Sequence, residues 1–264
     1  MSAITSVTSH TKTFAQIGLT AKGLVYCLLG VLTFMAAFHI NGQSARDTST
    51  DGVFSFVYRQ TGGQIMLAII ALGLLCYSLW RFIQAVKNDE NKKWTSRARY
   101  ILSGLVYASA AVSAARIVIM HASSKGGDSK QDMARELMNK PFGQILVGIG
   151  AAILLGVGIY QIYYGLSEKY HKHVDKAVNN DGRKLMLGAG KVGYVARGIV
   201  WLLLAWLFGK AAYNANSNEA GDTSKAFINL QDCEYGPYLL AVVGLGLLCY
   251  GLFNFVRARY ENFE

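Results

Sequence analysis

Six apolar segments, each long enough to cross a lipid bilayer, constrain the fold of this 264-residue chain more than any other feature. A helix that spans the hydrocarbon core needs about 20 mostly apolar residues. Three segments hold no charged residue, and we name them B1, B2 and B3: 61–80, 141–167 and 235–256. Three others are nearly as apolar but carry basic residues, and we name them A1, A2 and A3: about 14–38, 98–120 and 190–213.

Composition excludes the other common classes of protein. Charged residues make up 16% of the chain, whereas an average soluble domain has about 25%. Hydrophobic residues make up 52%, which excludes long disorder. The polar segment 1–13 is followed by a full-length span without a small-residue cleavage pattern, so it does not resemble a cleavable signal. We predict an all-α, polytopic membrane protein with six transmembrane helices.

The spans belong to three internal repeats. The segment Gly23-Leu24-Val25-Tyr26 recurs as Gly104-Leu105-Val106-Tyr107 and as Gly198-Ile199-Val200-Trp201, with shifts of 81 and then 94 residues. In the B spans the shifts drop by one, so that Trp80 corresponds to Tyr160 and to Phe253. Each repeat holds an A span, an outer loop with a short helix, and a B span. The repeats cover 14–88, 94–168 and 187–260, within one membrane domain.

Two spans return the chain to the side from which it started, so the three repeats share one orientation. Parallel repeats of this kind are related by rotation about the membrane normal. We therefore expect a pseudo-threefold bundle, with a looser side-by-side array as the alternative.

The distribution of basic residues predicts the orientation. Of the 26 Lys and Arg residues, 17 lie on the side of the termini and nine on the opposite side. Because basic residues accumulate on the cytoplasmic side, we expect a bacterial plasma-membrane protein with both termini in the cytoplasm. The net charge of +10 then indicates anionic lipid headgroups as partners, not nucleic acid.

A basic residue near the start of the A spans is the main candidate site. Lys22 corresponds to Arg197, while the second repeat has Ser103 in this column and offers Arg99 one turn earlier. One hypothesis is a ring of cations that binds an anion or a lipid headgroup. The simpler interpretation, which we favour from the sequence, is that these long side chains reach the membrane interface by snorkelling.

A second basic column holds Arg116 and Lys210 near the outer ends of A2 and A3, where interfacial anchoring is the expected role. The six spans hold no interior Asp or Glu. This absence argues against a proton-coupled carrier, which usually needs carboxylates within the membrane.

The outer loops share an acidic residue followed by a hydroxyl residue and a short amphipathic stretch. An Asp side chain can cap the helix that follows it. The predicted caps are Asp47, Asp128 and Asp222. The apolar faces of these short helices can lie on the membrane or close over the bundle.

No cofactor or metal is expected from the sequence. No His lies in the middle of a span, where a membrane haem needs its axial ligands, and no Cys-x-x-Cys is present. Nothing in the pattern assembles a nucleophile with a base, so we expect a protein that is not an enzyme.

The repeat unit itself resembles a known bacterial membrane family. The segment Gly193–Trp201 and the segment Gly63–Ala85, which includes Leu79-Trp80-Arg81-Phe82, match the two halves of the unit described as domain of unknown function 1206. The resemblance covers about residues 14–260 and departs from the pattern at Ser103. It implies a two-helix unit that occurs three times, and it implies no activity.

Two functions remain open from the sequence. The first is a non-catalytic accessory protein, or a protein that binds a lipid or a small ligand, with a protein partner or a second copy as further candidates. The second is a transporter or channel with a path along the pseudo-threefold axis. The missing membrane carboxylates favour the first.

Overall fold

The computed structural model describes residues 2–86, 94–120, 136–138, 142–168 and 180–261. Eight helices of eight or more residues form this part of the chain: α1 (Ser2–Ala37), α2 (Thr50–Tyr58), α3 (Gly63–Val86), α4 (Trp94–Met120), α5 (Gly143–Leu166), α6 (Asn180–Tyr213), α7 (Thr223–Gln231) and α8 (Gly236–Tyr260). The described residues contain no strand.

The six long helices are the predicted spans, and all six are long and apolar enough to cross a membrane. They are α1, α3, α4, α5, α6 and α8, which correspond to A1, B1, A2, B2, A3 and B3. The all-α, six-span prediction is confirmed. The polar segment at the N-terminus does not form a separate element, because α1 begins at Ser2 and continues without a break into the first span.

Each A helix packs against the B helix of the preceding repeat. The pairs are α4 with α3, α6 with α5, and α1 with α8, so the first span lies against the last. Within a repeat, α1 also packs against α3, and α6 against α8. The packing order is therefore α4, α3, α1, α8, α6, α5.

Glycine permits the close approach within the first and third repeats. A Cβ atom added at Gly18 would lie 2.6 Å from the Cα of Tyr77, and one added at Gly193 would lie 2.6 Å from the Cα of Tyr250. The two glycines correspond in the repeats, as do the two tyrosines. Small residues let membrane helices approach until their backbones touch.

A second contact repeats in the same way. A Cβ at Gly73 would lie 2.4 Å from Ala21 Cβ, and one at Gly246 would lie 2.3 Å from Ala196 Cβ. The α1–α3 and α6–α8 interfaces therefore use the same residues in the same places.

The second repeat lacks these small residues, and its two spans are not packed in this way. The column of Gly18 holds Arg99, the column of Ala21 holds Leu102, and the column of Gly73 holds Ile153. Within the described residues, α4 and α5 do not form the close backbone contact of the other two repeats. The bundle is therefore open between α4 and α5, where no close helix–helix contact among the described residues closes the ring of six helices. The pseudo-threefold arrangement stays a prediction.

Two short helices lie across the end of the bundle opposite the termini. α2 contacts α1, α3 and α4, while α7 contacts α6, α8 and the 3₁₀ turn Ala45–Asp47. Phe54 of α2 and Phe227 of α7 are completely buried. Of the two orientations considered for these amphipathic helices, the structure has the one that closes over the bundle.

The helix caps differ from the prediction in the first repeat. Asp222 is the N-cap of α7 and accepts the backbone N–H of Ser224 at 2.9 Å. The cap of α2 is Ser49, whose hydroxyl accepts the N–H of Gly52 at 3.0 Å. Asp47 is not a cap, because it ends a 3₁₀ turn two residues before Ser49 and its carboxylate accepts from Ser44.

The third predicted cap, Asp128, lies outside the described residues.

Candidate functional site

Lys22 lies inside the bundle among tyrosine rings. The residue is 2% exposed, and its Nζ donates to the hydroxyl of Tyr77 at 3.3 Å. Nζ also lies 4.9, 5.2 and 5.1 Å from the ring centroids of Tyr77, Tyr107 and Tyr250, which are distances for cation–π attraction. The expectation that Lys22 snorkels to the interface is wrong, because the rings of three neighbouring helices surround its ammonium group.

Arg197 reaches the same rings from α6. Its Nη1 donates to the Tyr250 hydroxyl at 2.5 Å and its Nη2 donates to the Tyr107 hydroxyl at 3.4 Å. Its guanidinium carbon lies 5.0 Å from the Tyr250 centroid. Tyr107 and Tyr250 therefore contact both predicted cations, and the structure brings Lys22 and Arg197 together.

The two cations use equivalent partners in their own repeats. Lys22 on α1 donates to Tyr77 on α3, and Arg197 on α6 donates to Tyr250 on α8. The identical five-residue runs Gly73–Tyr77 and Gly246–Tyr250 supply both hydroxyls.

A third cation was missed by sequence reasoning. Arg81 donates through Nε and Nη2 to the hydroxyl of Tyr77, at 2.9 and 2.5 Å. From the sequence it counted only as a basic residue beyond the end of B1. The missed signal is its column, which is polar in every repeat, with Gln161 and Asn254 in the equivalent positions. Both amides carry a buried side-chain oxygen without a hydrogen-bond partner in the described structure.

We name this set the basic–tyrosine cluster, and it consists of Lys22, Tyr26, Tyr77, Arg81, Tyr107, Arg197 and Tyr250. The hydroxyls of Tyr107 and Tyr26 complete it with a hydrogen bond of 3.5 Å.

The cluster has more hydrogen-bond donors than acceptors. Lys and Arg side chains donate only, so the tyrosine oxygens must accept from all three cations. The hydroxyl of Tyr77 accepts from both Lys22 and Arg81, which leaves its own proton for another acceptor. The Nε of Arg197 is buried and has no acceptor among the described residues.

Among the described residues, no Asp or Glu forms an ion pair with Lys22, Arg81 or Arg197. At the C-terminal end of α8, Arg257 and Glu261 form a buried ion pair of 2.8 Å with each other. Buried charges are costly unless they are paired, so an anionic ligand would offset part of the cost of burying these cations.

The cluster lies within the spans, in the half of the bundle nearer the termini. Lys22 and Arg197 are each ten residues from the start of their spans, Lys12–Ala37 and Leu187–Tyr213. Arg81 is five residues before the end of its span, Gly63–Val86.

The other predicted site residues lie outside the cluster. Arg99 is exposed near the start of α4 and donates to Tyr160 of α5. Arg116 is exposed on α4. Lys210 is half-exposed and lies 3.7 Å from Glu219. Neither Arg116 nor Lys210 approaches the cations of the cluster.

The fold and the cluster define a multi-pass α-helical membrane protein, built from three two-helix repeats around buried cations and tyrosines. Residues 17–88, 98–168 and 192–261 each match the family Domain of Unknown Function (DUF1206). The chain belongs to this family, as its resemblance indicated.

A relative supports the same assignment over nearly the whole chain. The chain is 28% identical over 257 residues to the "Uncharacterized protein YxxB" of Bacillus subtilis (strain 168), an alignment that covers 95% of this chain and 91% of the relative. No solved structure matches this chain.

Proposed function

We propose that this protein binds an anionic ligand in the basic–tyrosine cluster and is not an enzyme. The ligand is a small oxyanion, such as inorganic phosphate, or the phosphate of a lipid headgroup, since both offer the acceptor oxygens that the cluster lacks. The observation that carries the proposal is the convergence of Lys22 and Arg197 on the same two tyrosines, Tyr107 and Tyr250.

An anion would satisfy the cluster in three ways. It would balance part of the buried positive charge, accept from the Nε of Arg197, and accept the hydroxyl proton of Tyr77. Hydrogen bonds between ionised partners in a low-dielectric setting are the strong ones.

The proposed location is the bacterial plasma membrane with both termini in the cytoplasm, so that the ligand enters from the cytoplasm. Support comes from the excess of basic residues on the terminal side and from the buried Phe54 and Phe227 at the opposite end. The short helices α2 and α7 that carry these side chains pack over that end of the bundle, which favours binding over transport.

The test is thermal unfolding of the purified protein in mild detergent. Separate samples receive phosphatidylglycerol, phosphatidylcholine or inorganic phosphate, and the rise in Tm is measured for the wild type and for Lys22→Gln, Arg197→Gln and the double variant. We expect an anionic additive to raise the Tm of the wild type and each single substitution to remove most of that rise. The double variant should lose little more, because residues that share one ligand are non-additive.

Lys12→Gln is the matched control, since Lys12 is exposed on the same helix at the terminal side. The phosphate and phosphatidylglycerol samples distinguish a small anion from a headgroup. Equal stabilisation in the wild type and all variants would overturn the proposal. If a variant does not fold, binding is measured in the wild type by titrating phosphate or phosphatidylglycerol and following tryptophan fluorescence. The indoles of Trp80 and Trp201 should report binding, because each lies within 6 Å of a cluster guanidinium.

A further inference from the structure

The opening between α4 and α5 has a specific origin in the sequence. In the first and third repeats, Gly18 and Gly193 let the A helix touch the backbone of a tyrosine in the B helix. The second repeat has Arg99 in that column, and a guanidinium-bearing side chain cannot occupy a contact that has no space for a Cβ atom. Arg99 therefore keeps α4 and α5 apart.

The register of the repeats places two apolar side chains at the opening, and both are exposed. Leu102 of α4 is 48% exposed and Ile153 of α5 is 49% exposed, at the positions where the other repeats bury an alanine against a glycine. We name the surface formed by Arg99, Leu102, Ile153 and Tyr160 the α4–α5 seam.

The seam combines a cation with apolar walls at matching depths. Arg99 is two residues from the start of the span Arg97–Met120, so its long side chain can reach the lipid headgroups on the side of the termini. Its Nη1 donates to the Tyr160 hydroxyl at 2.5 Å, and its guanidinium lies 5.5 Å from the rings of Tyr100 and Tyr160. Leu102 lies one turn deeper in the hydrocarbon region.

We propose that the α4–α5 seam binds one anionic phospholipid, with its phosphate on Arg99 and an acyl chain between Leu102 and Ile153. A guanidinium offers five donors, and only one is used by Tyr160, so the remaining N–H groups can hold phosphate oxygens. The hydroxyl of Tyr160 holds the guanidinium against α5. This site shares no residue with the basic–tyrosine cluster and does not depend on the function proposed for that cluster.

The test is native mass spectrometry of the full chain in mild detergent, with phosphatidylglycerol or phosphatidylcholine added at equal concentration. We expect the wild type to retain phosphatidylglycerol in preference to phosphatidylcholine. Arg99→Gln should weaken phosphatidylglycerol retention about tenfold, the usual effect of losing a hydrogen bond to a charged group. Arg259→Gln is the matched control, because it removes an exposed arginine on the same side of the membrane.

A second variant tests the geometry of the seam. The triple substitution Arg99→Gly, Leu102→Ala and Ile153→Gly installs the residues that pack tightly in the first repeat, so α4 and α5 should close and exclude the lipid. Equal retention in the wild type, Arg99→Gln and the triple variant would overturn the proposal. A dimer in the wild type that becomes a monomer in the triple variant would also overturn the proposal, because a second copy of the chain would then occupy the seam. The loss caused by Arg99→Gln should be the same in a background that carries Lys22→Gln and Arg197→Gln, because any headgroup held by the basic–tyrosine cluster is removed there.

Discussion

Tyr77 and Tyr250 act at the residue scale through both parts of their side chains. Each ring lies 5.1 Å or less from a buried cation, and each hydroxyl accepts from an arginine or a lysine. Both side chains are buried. Phenylalanine would keep the ring contacts and remove only the oxygen, so it separates cation–π attraction from hydrogen bonding.

Tyr77→Phe should lower the free energy of unfolding by about 1–3 kcal/mol, because the ammonium of Lys22 and the guanidinium of Arg81 lose a shared buried acceptor. Chemical unfolding in mixed micelles measures the change. Tyr238→Phe is the control, since that residue is 67% exposed on α8. Equal stabilities for the two variants would show that the hydroxyl of Tyr77 contributes nothing.

Helix approach depends on glycine at defined places and not along whole helices. Gly18 and Gly193 face the backbone of another helix, whereas Gly150 and Gly156 of α5 have open space where a Cβ would lie. Glycine alone therefore does not indicate a packed interface, and the partner residue must be known.

Gly18→Ala should destabilise the protein by about 1–3 kcal/mol, because the added methyl group meets the Tyr77 backbone and separates α1 from α3. Gly193→Ala should have a similar effect at the equivalent contact. Gly150→Ala, made in the same way, should change stability little. Thermal unfolding of the three variants would contradict this account if Gly150→Ala were the most damaging.

The short outer helices are fixed by their caps. Asp222→Ala and Ser49→Ala should each cost about 0.5–2 kcal/mol, because each leaves a backbone N–H of the first turn without its acceptor. Asp47→Ala should cost less than Ser49→Ala, since Asp47 is the cap of neither the 3₁₀ turn Ala45–Asp47 nor α2. The order of the three Tm values checks this assignment, and a larger loss for Asp47→Ala would reverse it.

The whole molecule has one orientation if the basic residues decide it. In a background without Cys27, Cys76, Cys233 and Cys249, single cysteines at exposed sites should distinguish the two sides. Gln60→Cys and Asn229→Cys on the α2–α7 side should react with an impermeant maleimide in intact cells, and Ser167→Cys should not. Permeabilised cells provide the control, in which all three should react. Reaction of Ser167→Cys alone in intact cells would invert the topology.

The sequence predicted what depends on local pattern. Span number and helical class follow from the length of the apolar segments, which local residues determine. The pairing of Lys22 with Arg197 could also be anticipated from their shared column, but not the environment of either residue. Tyr77 and Tyr250 are distant in sequence from the cations they contact, and only the packing of three helices brings their rings around Lys22.

The opening in the second repeat also could not be predicted without knowing how the helices pack. Ser103 was the visible departure from the pattern, yet Arg99, in the glycine column, has the larger structural effect. The sequence shows that Arg99 replaces a glycine only when the register of the repeats is applied to every position. The corresponding glycine of the first repeat, Gly18, touches the backbone of Tyr77, and this contact is known only from the positions of α1 and α3.

The contact between α1 and α8 has a consequence for biosynthesis. About 200 residues separate Ala37 from Gly236, so at roughly 5–20 residues per second the first span waits roughly 10–40 s for its main partner. During this interval Lys22 is in the translocon or the bilayer without Tyr250, and the partly made chain carries an uncovered charge. Arrival of the last span ends that vulnerable period, so a ribosome that stalls before Gly236 should leave a substrate for membrane proteases.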